Sequence, residues 1–309
     1  MIALVLGLLV TAAIYQVFLS NQQTQRMQQA LSHIQENGRF ALDMISRDIR
    51  HAGYHGGCSV AYNHVESGEE LVTLDAVSGW QRDATASPLT GHIEGSDVLR
   101  LHHGADSQGA EVESVSQGNS LQLADVGQLP IEAGDIVTLT NGVQCDTFEI
   151  HNPTPSGSLI ACIRGGSCGG GGNSNSGGLR GDYAEGAMLY PEPDTIHYYI
   201  GQDVDGIPSL RRYVVGGSNE ALISGAESLR IRYGIGRGRV ESYVGADDID
   251  DWTQVVAIRL SLLLRSEEAN VMPEPVSLQM GNISFDAEPG NRRMYQVFTT
   301  TVGLRNRLP

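Results

Sequence analysis

Apolar and polar positions alternate along this chain in two rhythms, a long one and then a short one. From Met1 to Leu19 the sequence is apolar and uncharged, with Thr11, Tyr15 and Gln16 as its polar interruptions. From Ser20 it turns polar, yet Leu31, Ile34, Leu42, Ile45 and Ile49 recur at separations of three, eight, three and four, with Gly38 in the wide gap. That spacing places one apolar stripe on a 3.6-residue helix. The first proline is Pro88, so nothing earlier forces a break. The pattern predicts one helix from near Ile2 to about Arg50, stopped by Gly53. At 1.5 Å per residue it would be roughly 75 Å long, more than twice the width of a small domain. About half of it must therefore be covered by something outside its own fold.

Beyond residue 60 the period shortens. Residues 59–90 read as a transition of polar loops with a weak strand at Leu71–Leu74. The stretch Ser96-Asp-Val-Leu-Arg-Leu-His-His103 alternates as a strand does. Further strands are predicted at Ser120–Ala124, Asp135–Thr140, Asp146–Ile150, Ile196–Ile200, Leu210–Val215, Ser228–Tyr233, Gln254–Arg265 and Tyr295–Leu304. The run Val255–Leu264 has the apolar density of a central strand. Asp205-Gly206 and Gly216-Gly217 punctuate strand pairs as hairpin turns do. Residues 165–178, GGSCGGGGNSNSGG, form a low-complexity loop. The predicted class is α+β, a long N-terminal helix packed on a mostly antiparallel sheet with an extra β-rich insert. Residues 1–54 are assigned to the helix and 55–309 to the β-rich globular part.

Composition narrows this picture. Hydrophobic residues make up 40% and charged residues 18%, which suits a packed core and excludes a disordered chain. The formal net charge of −16 would be repelled by a nucleic acid, so none is expected as a partner. Three readings compete for the apolar start. A cleaved signal peptide needs a basic leading region, and no Lys or Arg precedes Arg26. A buried core helix would not run on into a polar half without a turn. A membrane-spanning helix needs about 20 apolar residues, which Met1–Leu19 supplies, and this is the expectation adopted.

Four cysteines, Cys58, Cys145, Cys162 and Cys168, form no C-x-x-C pair, which argues against a zinc ribbon or a thioredoxin-type site. An even count beside a membrane-insertion segment suits an oxidising compartment such as a periplasm. Of the three pairings open to them, Cys162–Cys168 and Cys58–Cys145 are preferred; four buried free thiols are the alternative.

Candidate chemistry is sparse. His102 and His103 are adjacent on a strand and point to opposite faces. His51 and His55 are separated by Gly53, which breaks the helix that would align them. No HExxH, G-x-S-x-G or P-loop pattern occurs, and Gly234-Ile-Gly-Arg-Gly-Arg239 has the wrong spacing for a nucleotide loop. No catalytic or cofactor-binding residue is assigned. Weak calcium candidates are Asp247, Asp248, Asp250 and Asp251, whose four carboxylates repel one another unless solvated or bridged by a cation. Asp203-Val-Asp-Gly206 is weaker still, since the closing Glu of a calcium loop is missing. Solvated turns are the plainer reading of both, and Asn282-Ile-Ser284 fits a glycosylation sequon.

The run Gln35-Glu-Asn-Gly-Arg-Phe-Ala-Leu-Asp-Met-Ile-Ser-Arg-Asp-Ile-Arg-His-Ala-Gly-Tyr54 resembles the segment that marks PilW-type minor pilins. Ile2-Ala-Leu-Val-Leu-Gly-Leu-Leu-Val10 resembles the hydrophobic half of a type IV prepilin signal. Val256-Ala-Ile-Arg-Leu260 to Arg265-Ser-Glu267 and Phe298-Thr-Thr-Thr-Val-Gly-Leu-Arg-Asn-Arg-Leu-Pro309 are similar to that family's penultimate strand and tail. The resemblance covers the two ends well and the middle poorly. The basic leader, cleavage-site glycine, first mature Phe and Glu at the fifth mature position are expected to lie before Met1.

The resemblance implies a structural pilin, not an enzyme. Its helix would sit first in the inner membrane, as a single span with a periplasmic domain, and then in a pilus core at the cell surface. Expected partners are other minor pilins, the major pilin and a PilY-type tip adhesin, in a complex that primes assembly. The J-type minor pseudopilins of type II secretion are a related alternative, and a membrane-anchored adhesin or carbohydrate-binding module is another.

Overall fold

The computed structural model describes residues 2–53, 60–64, 76–81, 89, 91–103, 109–116, 120–125, 131–151, 157–162, 179–191, 194–203, 205–215, 217–281 and 283–304. The strand expected at Leu71–Leu74, the glycine loop 165–178, and Cys58, Cys168 and Asn282 lie outside the described residues.

The chain opens with one helix, α1 (Ile2–His51), uninterrupted as its sequence predicts. Its docked face reads Met27, Ala30, Ile34, Gly38, Ala41, Ile45, Ile49 and then Ala52, in steps of three or four. Ile45, Ile49 and Ala52 are fully buried. Leu31 was expected on this stripe and is instead 38% exposed. It follows Ala30 by one residue, about 100° round the axis, which turns it out of the contact. Leu42 is half-buried at the flank of the face. Gly38 does more than fill a gap. A Cβ there would stand 2.6 Å from ring carbons of Phe298, so glycine is what lets that ring reach the helix axis. Gly53 ends the helix at φ +70°, a conformation costly for any side chain, and its N–H donates to the His102 carbonyl.

The strands follow in chain order: β1 (Val60–Asn63), β2 (Val77–Trp80), β3 (Val98–His103), β4 (Ala110–Ser116), β5 (Ser120–Leu123), β6 (Ile136–Thr140), β7 (Gln144–His151), β8 (Ser158–Cys162) and β9 (Ala187–Pro191). Then come β10 (Asp194–Gln202), β11 (Pro208–Val214), β12 (Asn219–Ser224), β13 (Ala226–Ile235), β14 (Ser242–Val244), β15 (Val255–Arg265), β16 (Ser277–Met280), β17 (Ile283–Asp286) and β18 (Tyr295–Gly303). Every expected strand within the described residues is present, with ends shifted by two residues or fewer.

Two antiparallel sheets carry α1. One has the order β12-β11-β10-β3-β2 and the other β14-β13-β15-β18. The helix lies against β18, β15, β3 and β12, so it spans both sheets. Their inner faces meet it with Leu99, Leu101, Ile196, Tyr198, Ile231, Ile258, Leu260 and Leu262 in one core. β15 lies between β13 and β18, and its side chains are buried on both faces except at Arg259 and partly at Arg265, as the dense run Val255–Leu264 predicts. β16 and β17 form a separate hairpin.

The insert is a third, closed sheet. β7, β6, β9, β4, β5 and β8 follow in order, and β8 pairs back onto β7, closing a six-stranded ring. β1 joins β7 in parallel. Val112, Leu121, Leu139, Phe148, Ile150 and Leu189 fill the interior. The chain leaves for this barrel after β3 and returns at β10, and His103 and Asp194 face each other where it does so.

Candidate assembly interface

The two halves of α1 have opposite surroundings. From Met27 onward the stripe packs on the sheets. Before Gln23 the described apolar side chains stand in the open all round the helix. Ile2 is 80% exposed, Leu8 71% and Phe18 55%. No charge occurs before Arg26. The Thr11 hydroxyl donates to the Gly7 carbonyl at 2.8 Å, so this polar group is satisfied within its own helix. Such a surface has no internal partner and is stable only where lipid or protein covers it. Met1 lies outside the described residues, and among the described residues no helix is long and apolar enough to cross a membrane. A free rod of about 20 residues is roughly 30 Å long.

The docked half is held by polar contacts at both ends. Where the rod leaves the body, Gln23 Nε2 donates to the Val271 carbonyl at 2.6 Å. A cleft of about 410 Å³ opens beside it, between Gln29, His33 and Asn37 on the helix and Ser266–Glu268. At the far end the Tyr198 hydroxyl donates to Asp48 Oδ2 at 2.6 Å, and Arg212 Nε donates to the same oxygen at 3.3 Å. Burial, together with the Asp48 carboxylate, holds the Tyr198 phenol well above its ordinary range. This three-residue clamp ties the last turn of α1 to β10 and β11.

The residues singled out in the sequence are not drawn together. Asp247 and Asp248 lie on a 3-10 turn (Ala246–Asp248). Asp251 caps the next turn, accepting from Thr253 N at 2.9 Å and from Gln254 Nε2 at 3.0 Å. Asp203 and Gly206 close a tight turn, with Gly206 N donating to the Asp203 carbonyl. Among the described residues no group of three or more His, Cys, Asp and Glu stands close enough to hold a metal ion. His102 is buried, its Nδ1 3.2 Å from Thr195 Oγ1. Gly234–Arg239 runs from the end of β13 into a bend. Cys145 is buried on β7 and is not a free thiol; the side chains of Cys58, Cys162 and Cys168 lie outside the described residues.

Sequence reasoning missed a buried polar cluster beside Cys145. His64 Nε2 hydrogen-bonds Asp146 Oδ1, and both side chains are fully buried. Asp146 Oδ2 also accepts from Gly181 N at 2.8 Å and from the Tyr183 hydroxyl at 2.7 Å. Burial alone would raise this carboxyl, but the donors of His64, Tyr183, Gly181 and Arg180 outweigh it and hold the acid below the usual carboxylate range. The cluster stitches β1 and the strand-free stretch 180–183 onto β7. Asp146 takes all these donors from the protein itself, while His64 Nδ1 is buried without a hydrogen-bond partner among the described residues.

Residues 197–306, from within β10 through β18, match the family described as type IV pilus-assembly protein W, PilW. Residues 197–306 belong to PilW. No curated protein and no solved structure matches the chain. The PilW stretch contains the penultimate strand and much of the tail quoted from the sequence, and it begins just past the barrel insert. It comprises the strands of both helix-bearing sheets except β2 and β3. PilW is a family of pilus assembly, not one of known enzymes. The match brings with it a role in type IV pilus assembly, association with the cell envelope, and other assembly components as partners.

Proposed function

We propose that this PilW chain is a minor pilin that primes type IV pilus assembly and forms part of the tip complex carrying a PilY-type adhesin. One observation carries the reading: a rigid, uncharged, fully exposed apolar rod continues a helix whose other half is clamped to two sheets. The rod sits in the inner membrane before assembly, with the β-rich part in the periplasm. On assembly it exchanges lipid for the helices of other minor pilins and the major pilin. Burial of any area otherwise wetted contributes about 25 cal/mol per Å². The β surface then faces solvent or the next subunit, and the role needs no cofactor. Cys145 is not a free thiol; in this proposal it pairs with Cys58, leaving Cys162–Cys168 as the remaining pair.

Co-purification of the full chain in detergent with the minor and major pilins of its own host tests this. The expected result is a stable complex that is lost in Leu8→Asp/Leu9→Asp, a variant whose circular dichroism and melting are unchanged. Preference for type II pseudopilins would instead support the J-type alternative. Glycan binding by a chain that joins neither assembly would support the adhesin alternative.

A further inference from the structure

The sheet face turned away from α1 carries a cationic socket in a chain of net charge −16. A cavity of about 180 Å³ is lined by Arg230, Arg232 and Arg259, with Asp97 the one acid among its lining residues. Arg232 stands directly opposite Arg259 in the β13–β15 ladder. Like charges at such a cross-strand position repel unless an anion lies between them. Arg230 is already neutralised, 3.2 Å from Asp97. Arg259 stacks on the Tyr243 ring at 3.9 Å and donates to Thr301 Oγ1 at 3.3 Å. Neither Arg232 nor Arg259 has a carboxylate partner among the described residues. Two guanidinium forks are therefore held at one cavity, one of them oriented by an aromatic ring, with no carboxylate of the described residues paired to either.

We propose that this socket receives a glutamate side chain of another pilus-assembly protein. The match in chemistry is specific. A planar carboxylate accepts two parallel hydrogen bonds from a guanidinium fork. Gln81, Ser261 and Gly281 also line the cavity, and its apolar wall, Met280 and Ile283, suits the methylene stem that a glutamate brings and an inorganic anion lacks. A small cavity holds one side chain, so the contact fixes register between subunits more than it supplies affinity. The inference rests on the pilus-assembly reading for the identity of its partner.

The probe is the peptide acetyl-Gly-Glu-Gly-amide, with its Gln counterpart and sodium phosphate as separate arms. Each is titrated into the full chain in detergent micelles, with arginine side-chain NH signals followed by NMR. The expected result is a saturable movement of the Arg232 and Arg259 Nε–H signals with the Glu peptide and none with the Gln peptide. Arg232→Gln should weaken binding at least fivefold with unchanged circular dichroism. Thr301→Glu, an exposed substitution that plants a carboxylate beside Arg259, should abolish the response independently. Equal responses to the Glu and Gln peptides, a response to phosphate alone, or no response to any arm would overturn the proposal. Co-purification through the α1 rod does not involve these residues, so either reading fails without the other.

Discussion

Asp48 shows how much depends on one side chain. It is the acceptor for both Tyr198 and Arg212, on strands 150 and more positions away. Removing it leaves a phenol and a guanidinium half-satisfied at the helix–sheet seam. Asp48→Ala should cost about 2–4 kcal/mol in urea unfolding, whereas Tyr198→Phe, which deletes one donor and strands no charge, should cost about 1 kcal/mol. His197 sets a pH response. It is stacked between Trp80 and Tyr213, and burial, with the nearby Arg100 charge, lowers its pKa to about 4. The folded chain keeps this ring neutral while the unfolded chain protonates it near its ordinary 6.5. Stability from this group is thus complete above about pH 6.5 and declines as pH falls towards 4, by at most roughly 3 kcal/mol. Urea midpoints measured across that range should fall for the native chain and fall less for His197→Phe. None of these partnerships could be read from the sequence, because each joins residues whose distance along the chain gives no periodic signal.

At the scale of the element, α1 was legible almost to the residue. Apolar spacing located the stripe, and Gly53 marked its end. Leu31 misled because a stripe read from large residues alone passes over Ala30 and Ala41, which do the packing. Ile45→Ala should therefore cost about 2–5 kcal/mol, while Leu31→Ser should leave the melting temperature within a degree or two; thermal melts followed by circular dichroism check both. Long strands with regular alternation were found. β1, β2, β8, β9, β14, β16 and β17 were missed because three to five residues carry too little pattern, and β4 and β12 because Glu111, Glu113 and Glu220 dilute their apolar faces. The arginine socket was hidden for a similar reason, since Arg232 and Arg259 become neighbours only through the ladder register.

For the whole molecule, the sequence predicted a β-rich insert but not its closure. Ring closure depends on β8 finding β7, a pairing that no local pattern encodes. The insert leaves and returns on the β3–β10 pair and is also held by β1 and His64, so replacing residues 104–193 with a four-residue turn, together with His64→Ser, should leave α1 and its two sheets folded. A single cooperative melt with native-like helix content would show this; loss of cooperativity would mean that the barrel shares the scaffold's folding unit. The facing of His103 and Asp194 has a further consequence. Both ends of the insert meet on a single rung, so lengthening, shrinking or exchanging this head leaves the register of β3 against β10 unaltered beneath it.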